Sequence, residues 1–154
     1  MKFESLNELV KHAISTEYKV LIYREMLNTK NGKQEFNKVI RAKVQNQIGV
    51  YLWENSKTKE ILYIGMAGKV KTNGEFVNHS VQKRLLASRG KDLLGKDIQT
   101  NQYIKDILNQ DNIEELNIHV FHLKENQIPG YIEAVLINAY FQENKCLPRY
   151  NSNF

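Results

Sequence analysis

The sequence predicts an α+β domain: a small, mainly antiparallel three-stranded sheet flanked by helices and preceded by a helical extension. Three observations predict it. Two β-branched and aromatic runs, residues 48–53 and 61–65, stand on either side of a polar stretch, as the arms of a hairpin do. A third run, residues 116–123, alternates well enough for another strand. The segments around these runs repeat their apolar residues at helical spacing. With 154 residues, 42% hydrophobic and 25% charged, the chain fits one domain able to bury a core.

In order along the chain, Ser5-Leu6-Asn7-Glu8 has the form of a capping box, and Leu6, Leu9, Val10 and Ala13 follow on one helical face. Asn31-Gly32 reads as a turn, after which Phe36, Val39, Ile40 and Val44 resume the period. Residues 1–47 are therefore expected to form a helical extension packed on a core of residues 48–154. If residues 54–60 are the hairpin loop, Trp53 pairs with Ile61, Tyr51 with Tyr63 and Gly49 with Gly65, and the two tyrosines share a face. Asn73-Gly74 marks a long loop, Ser80 caps a short helix over 80–87, and a further helix covers 99–109. Pro129 suits the first turn of a last helix reaching Tyr140 or a little beyond, and Pro148 forbids its extension.

Charge is unevenly spread. Residues 1–48 carry 9 Lys/Arg against 5 Asp/Glu, residues 49–100 again 9 against 5, and residues 101–154 carry 4 against 7. Between residues 66 and 96, Lys69, Lys71, Lys83, Arg84, Arg89, Lys91 and Lys96 face only Glu75 and Asp92. Such a local excess favours a polyanion such as nucleic acid, although a solvated lysine-rich face has the same composition. Glu4 and Glu8 interrupt any secretory leader, and no window approaches ~18 apolar residues, so a soluble, cytoplasmic protein with no membrane partner is expected. The single cysteine, Cys146, can neither close an internal disulfide nor build a cysteine-rich zinc site.

Few residues carry candidate chemistry. Glu133 is the only charge between Glu125 and Glu143 and sits among Ile132, Ala134, Val135 and Leu136. A carboxylate there lies either on the wet side of its helix or against a cation or metal, since burying it unpaired is costly. Arg84 is either a surface ion-pair partner or a phosphate clamp, because a guanidinium can hold two phosphate oxygens at once. His12, His79, His119 and His122 lack zinc-site spacing, His79 being notable only for its place in the basic loop. The absence of Walker, GxGxxG and GxSxG motifs argues against nucleotide-dependent and serine-hydrolase chemistry.

Gly49-Val50-Tyr51 and, across the polar stretch, Tyr63-Ile64-Gly65 resemble the paired motif of the GIY-YIG nuclease superfamily. The resemblance continues in order with Arg84, Glu133 and Asn151 in Leu147-Pro148-Arg149-Tyr150-Asn151, and so covers residues 48–151. Where family members carry a lysine, serine or threonine soon after the second motif, Met66-Ala67-Gly68 here precedes Lys69. The resemblance implies a divalent-metal-dependent endonuclease that hydrolyses phosphodiester bonds in nucleic acid, DNA foremost, leaving 5′-phosphate and 3′-hydroxyl ends. It implies Tyr51, Tyr63, Arg84, Glu133 and Asn151 as catalytic residues and Glu133 as the ligand of one Mg²⁺ or Mn²⁺. Separately, hydrolysis needs an activated water and neutralised phosphate oxygens, roles that Tyr51 or Tyr63 as base, with Tyr51 preferred, and Arg84 could fill. A tyrosine base requires nearby positive charge, which Arg84, the metal or Lys69 would supply. Lys69, Lys71, Lys83, Arg89 and Lys91 are the expected nucleic-acid contacts. Two other classes share the sequence features: a nucleic-acid-binding module that no longer cuts, and a protein-interaction domain, against which the basic stretch argues.

Overall fold

The computed structural model describes residues 1–77, 79–91, 94–152 and 154. Helix α1 (Phe3–Val10) passes through a single 3₁₀ turn into strand β1 (Ile14–Tyr23), followed by α2 (Arg24–Leu27) and α3 (Gly32–Lys43). The hairpin β2 (Gly49–Asn55) and β3 (Ile61–Ala67) leads to α4 (Val81–Leu86) and a short ribbon of β4 (Ser88–Lys91) and β5 (Asp97–Gln99). Then come α5 (Thr100–Gln110), β6 (Glu115–Leu123) and α6 (Pro129–Asn144). The main sheet has the order β1-β6-β2-β3 and is antiparallel throughout. Leu6 and Val10 of α1 and Ile132 and Leu136 of α6 bury one of its faces against Val50, Leu52, Ile64 and Phe121. Phe36 and Ile40 of α3, Leu85 of α4 and Ile104 of α5 cover the other, with Tyr51, Trp53 and Ile118. No helix among the described residues is long and apolar enough to cross a membrane.

The sheet has four strands rather than three, because residues 14–23 are not helical. Their β-branched and aromatic content alternates: Val20 and Ile22 are buried and Tyr18 half-buried, whereas Glu17, Lys19 and Tyr23 face water. Pairing of Val20 with Ile118 and Ile22 with Leu116 makes β1 an edge of the sheet, so residues 1–47 contribute a strand as well as helices. Ser5 also differs from its expected capping role, since α1 begins earlier, at Phe3, with no side-chain cap.

The hairpin register is shifted from the expected one. Tyr51 pairs with Gly65, Trp53 with Tyr63 and Gly49 with Ala67. The cause lies at the turn, where the Asn55 side chain accepts the N–H groups of Lys57 and Thr58 and Lys59 takes a left-handed φ of 67°. The backbone N–H of Asn55 then meets the carbonyl of Glu60, and the ladder slips between Trp53 and Glu54, leaving Leu62 as the extra residue. The shift is even overall, so the two tyrosines still share a face, with ring centroids 5.9 Å apart. Both motif glycines are required by crowding. A Cβ on Gly65 would lie 2.5 Å from the Tyr63 ring and 2.9 Å from that of Tyr51, and one on Gly49 would lie 2.2 Å from the carbonyl oxygen of Phe121.

Residues 148–151 close part of the free edge of β3. The Tyr150 N–H bonds the Leu62 carbonyl at 2.9 Å, and the Asn151 side chain imitates a neighbouring strand: Oδ1 accepts the Ile64 N–H at 2.9 Å and Nδ2 donates to the Ile64 carbonyl at 2.8 Å. Arg149 ties the same segment to Glu60 at 2.6 Å and to Asp111 at 3.0 Å. Asn151→Ala should therefore lower stability by about 1–3 kcal/mol in urea melts, the usual cost of leaving partly buried backbone groups unpaired. A parent-like midpoint would show that water replaces the amide without loss.

Candidate active site

A cleft of about 480 Å³ opens where the Met66–Ala67 end of β3 meets α4 and α6. Each element brings one side chain to it. Tyr63 comes from the edge strand. Arg84 comes from α4, whose start is fixed by Ser80 accepting the Lys83 N–H at 3.0 Å. Glu133 comes from the second turn of α6, which Pro129 initiates. Lys69 and His79 arrive from the connection between β3 and α4, folded back on itself by the Val70–Phe76 bridge and the turn at Asn73-Gly74.

Burial sets the electrostatics. Glu133 is half-buried, and its carboxyl is pushed up to about 7 by loss of water, against the opposing pull of Arg84. Among the described residues it is the only carboxylate lining the cleft, and no group of three His, Cys, Asp or Glu able to hold a metal occurs among them. One carboxylate nonetheless suits a hard divalent ion, which takes one or two carboxylates and completes its shell with water and phosphate oxygens. The Tyr51 ring lies in the core with no exposed surface. Burial, with Tyr63 alongside, drives its hydroxyl well above the ordinary tyrosine range, and Arg89 and Arg84 only partly offset this.

The named residues thus separate. Tyr63, Lys69, Arg84 and Glu133 line one cleft, Tyr51 lies beneath it, and Asn151 is spent on the backbone of Ile64. Lys71 and Lys83 are exposed but do not line the cleft, and the side chain of Lys91 lies outside the described residues. Arg89 is not a solvated surface contact. It is half-buried, with its guanidinium carbon 4.5 Å from the Tyr63 ring centroid, 5.0 Å from Trp53 and 5.4 Å from Tyr103, and its Nη1 is 3.5 Å from the Tyr51 hydroxyl. Nothing in the spacing of residues 88–103 signals this cage, since it forms only when the β4–β5 ribbon folds back over the sheet. The place of His79 in the cleft, by contrast, agrees with its position in the basic loop of the sequence.

No family model, no curated protein and no solved structure matches the chain.

Proposed function

We propose that the chain is a divalent-metal-dependent endonuclease that hydrolyses phosphodiester bonds in DNA and leaves 5′-phosphate and 3′-hydroxyl ends, in keeping with its resemblance to the GIY-YIG superfamily. The observation that carries this reading is the convergence of Tyr63, Arg84 and Glu133, from three separate elements, on one cleft bordered by Lys69 and His79. Arg84 has the fork geometry to bind and neutralise non-bridging phosphate oxygens. Glu133 would hold one Mg²⁺ or Mn²⁺, which, when bound, supplies Lewis-acid stabilisation of charge on the phosphate and the leaving oxygen. Tyr63, whose ring borders the cleft, orients the attacking water and takes its proton, whereas Tyr51 supports that ring from the core. This reverses the preference for Tyr51 as base, because a hydroxyl that burial holds protonated is a poor proton acceptor.

Incubating the full chain with a panel of duplex, branched and single-stranded DNA and RNA, with Mg²⁺, Mn²⁺ or EDTA, tests the reading. Metal-dependent cleavage of DNA with ligatable 5′-phosphate ends is the expected result. Binding without cleavage on every substrate and metal would favour a module that no longer cuts, a reading supported by Glu133 being the one carboxylate among the cleft's described residues. The basic loop makes a separate expectation. Replacing Lys69, Lys71 and Lys83 together by alanine should flatten the salt dependence of duplex binding by ~0.9 in log–log slope per lost phosphate contact. A slope equal to the parent's would take this loop out of the binding surface.

A further inference from the structure

Tyr63 is a wall shared by two hollows. On one side lies the cleft with Arg84 and Glu133; on the other lies a pocket of about 260 Å³ bounded by Tyr63, Arg89, Tyr103, Tyr150 and Asn151. Arg89 has no carboxylate partner among the described residues, and its polar neighbours are the hydroxyls of Tyr51 and Tyr63. A guanidinium drawn half out of water without an anion is under-compensated, because ring faces attract it more weakly than a carboxylate does. It also carries five N–H donors in a planar fork, and its side-chain partners among the described residues are two tyrosine hydroxyls. Asp111, the acid that meets the pocket wall through Tyr150, is already bound by Arg149 at 3.0 Å and by the Tyr150 hydroxyl at 2.5 Å. Among the described residues the pocket thus offers Arg89 no free carboxylate, and its volume suits an anion rather than a base pair.

We propose that this pocket is a second phosphate site, in which Arg89 holds a backbone phosphate of the same strand whose scissile phosphodiester lies at Arg84. The identity of the strand rests on the nuclease reading; the anion site itself does not. Two anions on either side of one side chain are what a polynucleotide offers and a free phosphate does not. Arg89 also holds the Tyr63 ring on its face, so a phosphate bound there steadies the tyrosine that borders the reacting group.

Trp53, the only tryptophan of the chain, lies 5.0 Å from the Arg89 guanidinium and reports on it. With the parent protein in EDTA, so that nothing is cut, a thymidine oligonucleotide should change Trp53 emission, and its uncharged methylphosphonate analogue should not. In Arg89→Gln the oligonucleotide should bind about tenfold more weakly, with a salt slope lower by ~0.7, one single-strand phosphate contact. Arg89→Lys keeps the charge but loses the fork, so it should keep the slope and bind several-fold more weakly. Parent-like affinity in the lysine variant overturns the site even if the glutamine variant fails to fold in thermal melts. Equal binding by Arg89→Gln and parent also overturns it, as does an equal response to the methylphosphonate. A response to inorganic phosphate as strong as to the oligonucleotide, at matched phosphate concentration, overturns the strand assignment. A parent that binds in this way but cuts nothing with Mg²⁺ or Mn²⁺ defeats the nuclease reading and leaves the subsite standing; an Arg89→Gln protein that binds and cuts like the parent defeats only the subsite.

Discussion

Glu133→Gln should abolish cleavage while DNA binding survives. The substitution keeps the size of the side chain and its hydrogen bonding but removes the one carboxylate among the cleft's described residues, the charge able to hold a hard cation. Losing the several kcal/mol of charge stabilisation that a bound metal provides amounts to about 10²-fold or more in rate. Stability should move the other way. Burial pushes the folded carboxyl up to about 7 from its ordinary value of 4.5, so between these pH values the folded state retains a proton that the unfolded state has released. Metal-free parent protein therefore loses stability as pH rises through that window, and the glutamine variant does not. Thermal melts in EDTA should superimpose below pH 4.5 and show the variant more stable at pH 8. A cleaving glutamine variant, or one that is inactive only because it has unfolded, removes Glu133 from the metal site.

Tyr63→Phe should cost far more activity than Tyr51→Phe. Both keep the ring, and each deletes one hydroxyl from the same face of the hairpin. Only the Tyr63 ring borders the cleft, so its loss should reduce the rate by ~10²–10⁴-fold, the range of a general base. The Tyr51 hydroxyl is in the core, held protonated by burial beside Arg89 and Arg84, so Tyr51→Phe should fold and keep more of its rate than Tyr63→Phe. Single-turnover rates at saturating DNA separate the two. A dead Tyr51→Phe beside an active Tyr63→Phe would return the base to the buried residue, and full activity in both would dismiss a tyrosine base.

What could be read in advance was local. The hairpin, the Ser80-capped helix, the Tyr103 helix, the strand over 116–123 and the Pro129 helix each follow from a period or punctuation within a dozen residues. Strand β1 is hidden because the continuous apolar run Val20-Leu21-Ile22 is too short to show a period of either kind, and its partner lies about a hundred positions away, with Ile14 opposite Leu123. The hairpin register failed for a smaller reason, the one extra residue at Leu62, although the shared face of Tyr51 and Tyr63 survived because the net slip is even. At the site, residues singled out along the chain do meet in space, but their inequality was invisible. Burial divides Tyr51 from Tyr63, and strand pairing consumes Asn151, and both are tertiary facts. The Arg89 cage is tertiary as well, since its three rings come from β2, β3 and α5.

The link between Asn151 and Ile64 spans 87 positions of sequence. Contacts of such separation must overcome a large loop-closure entropy and tend to form late in folding. During synthesis the Tyr63 strand leaves the ribosome with its outer edge unpaired, well before the segment that covers it, and an open edge invites pairing with other chains. The residue that completes the sheet beside the cleft is thus also the guard against misassembly, and its arrival sets the earliest moment at which the site is whole.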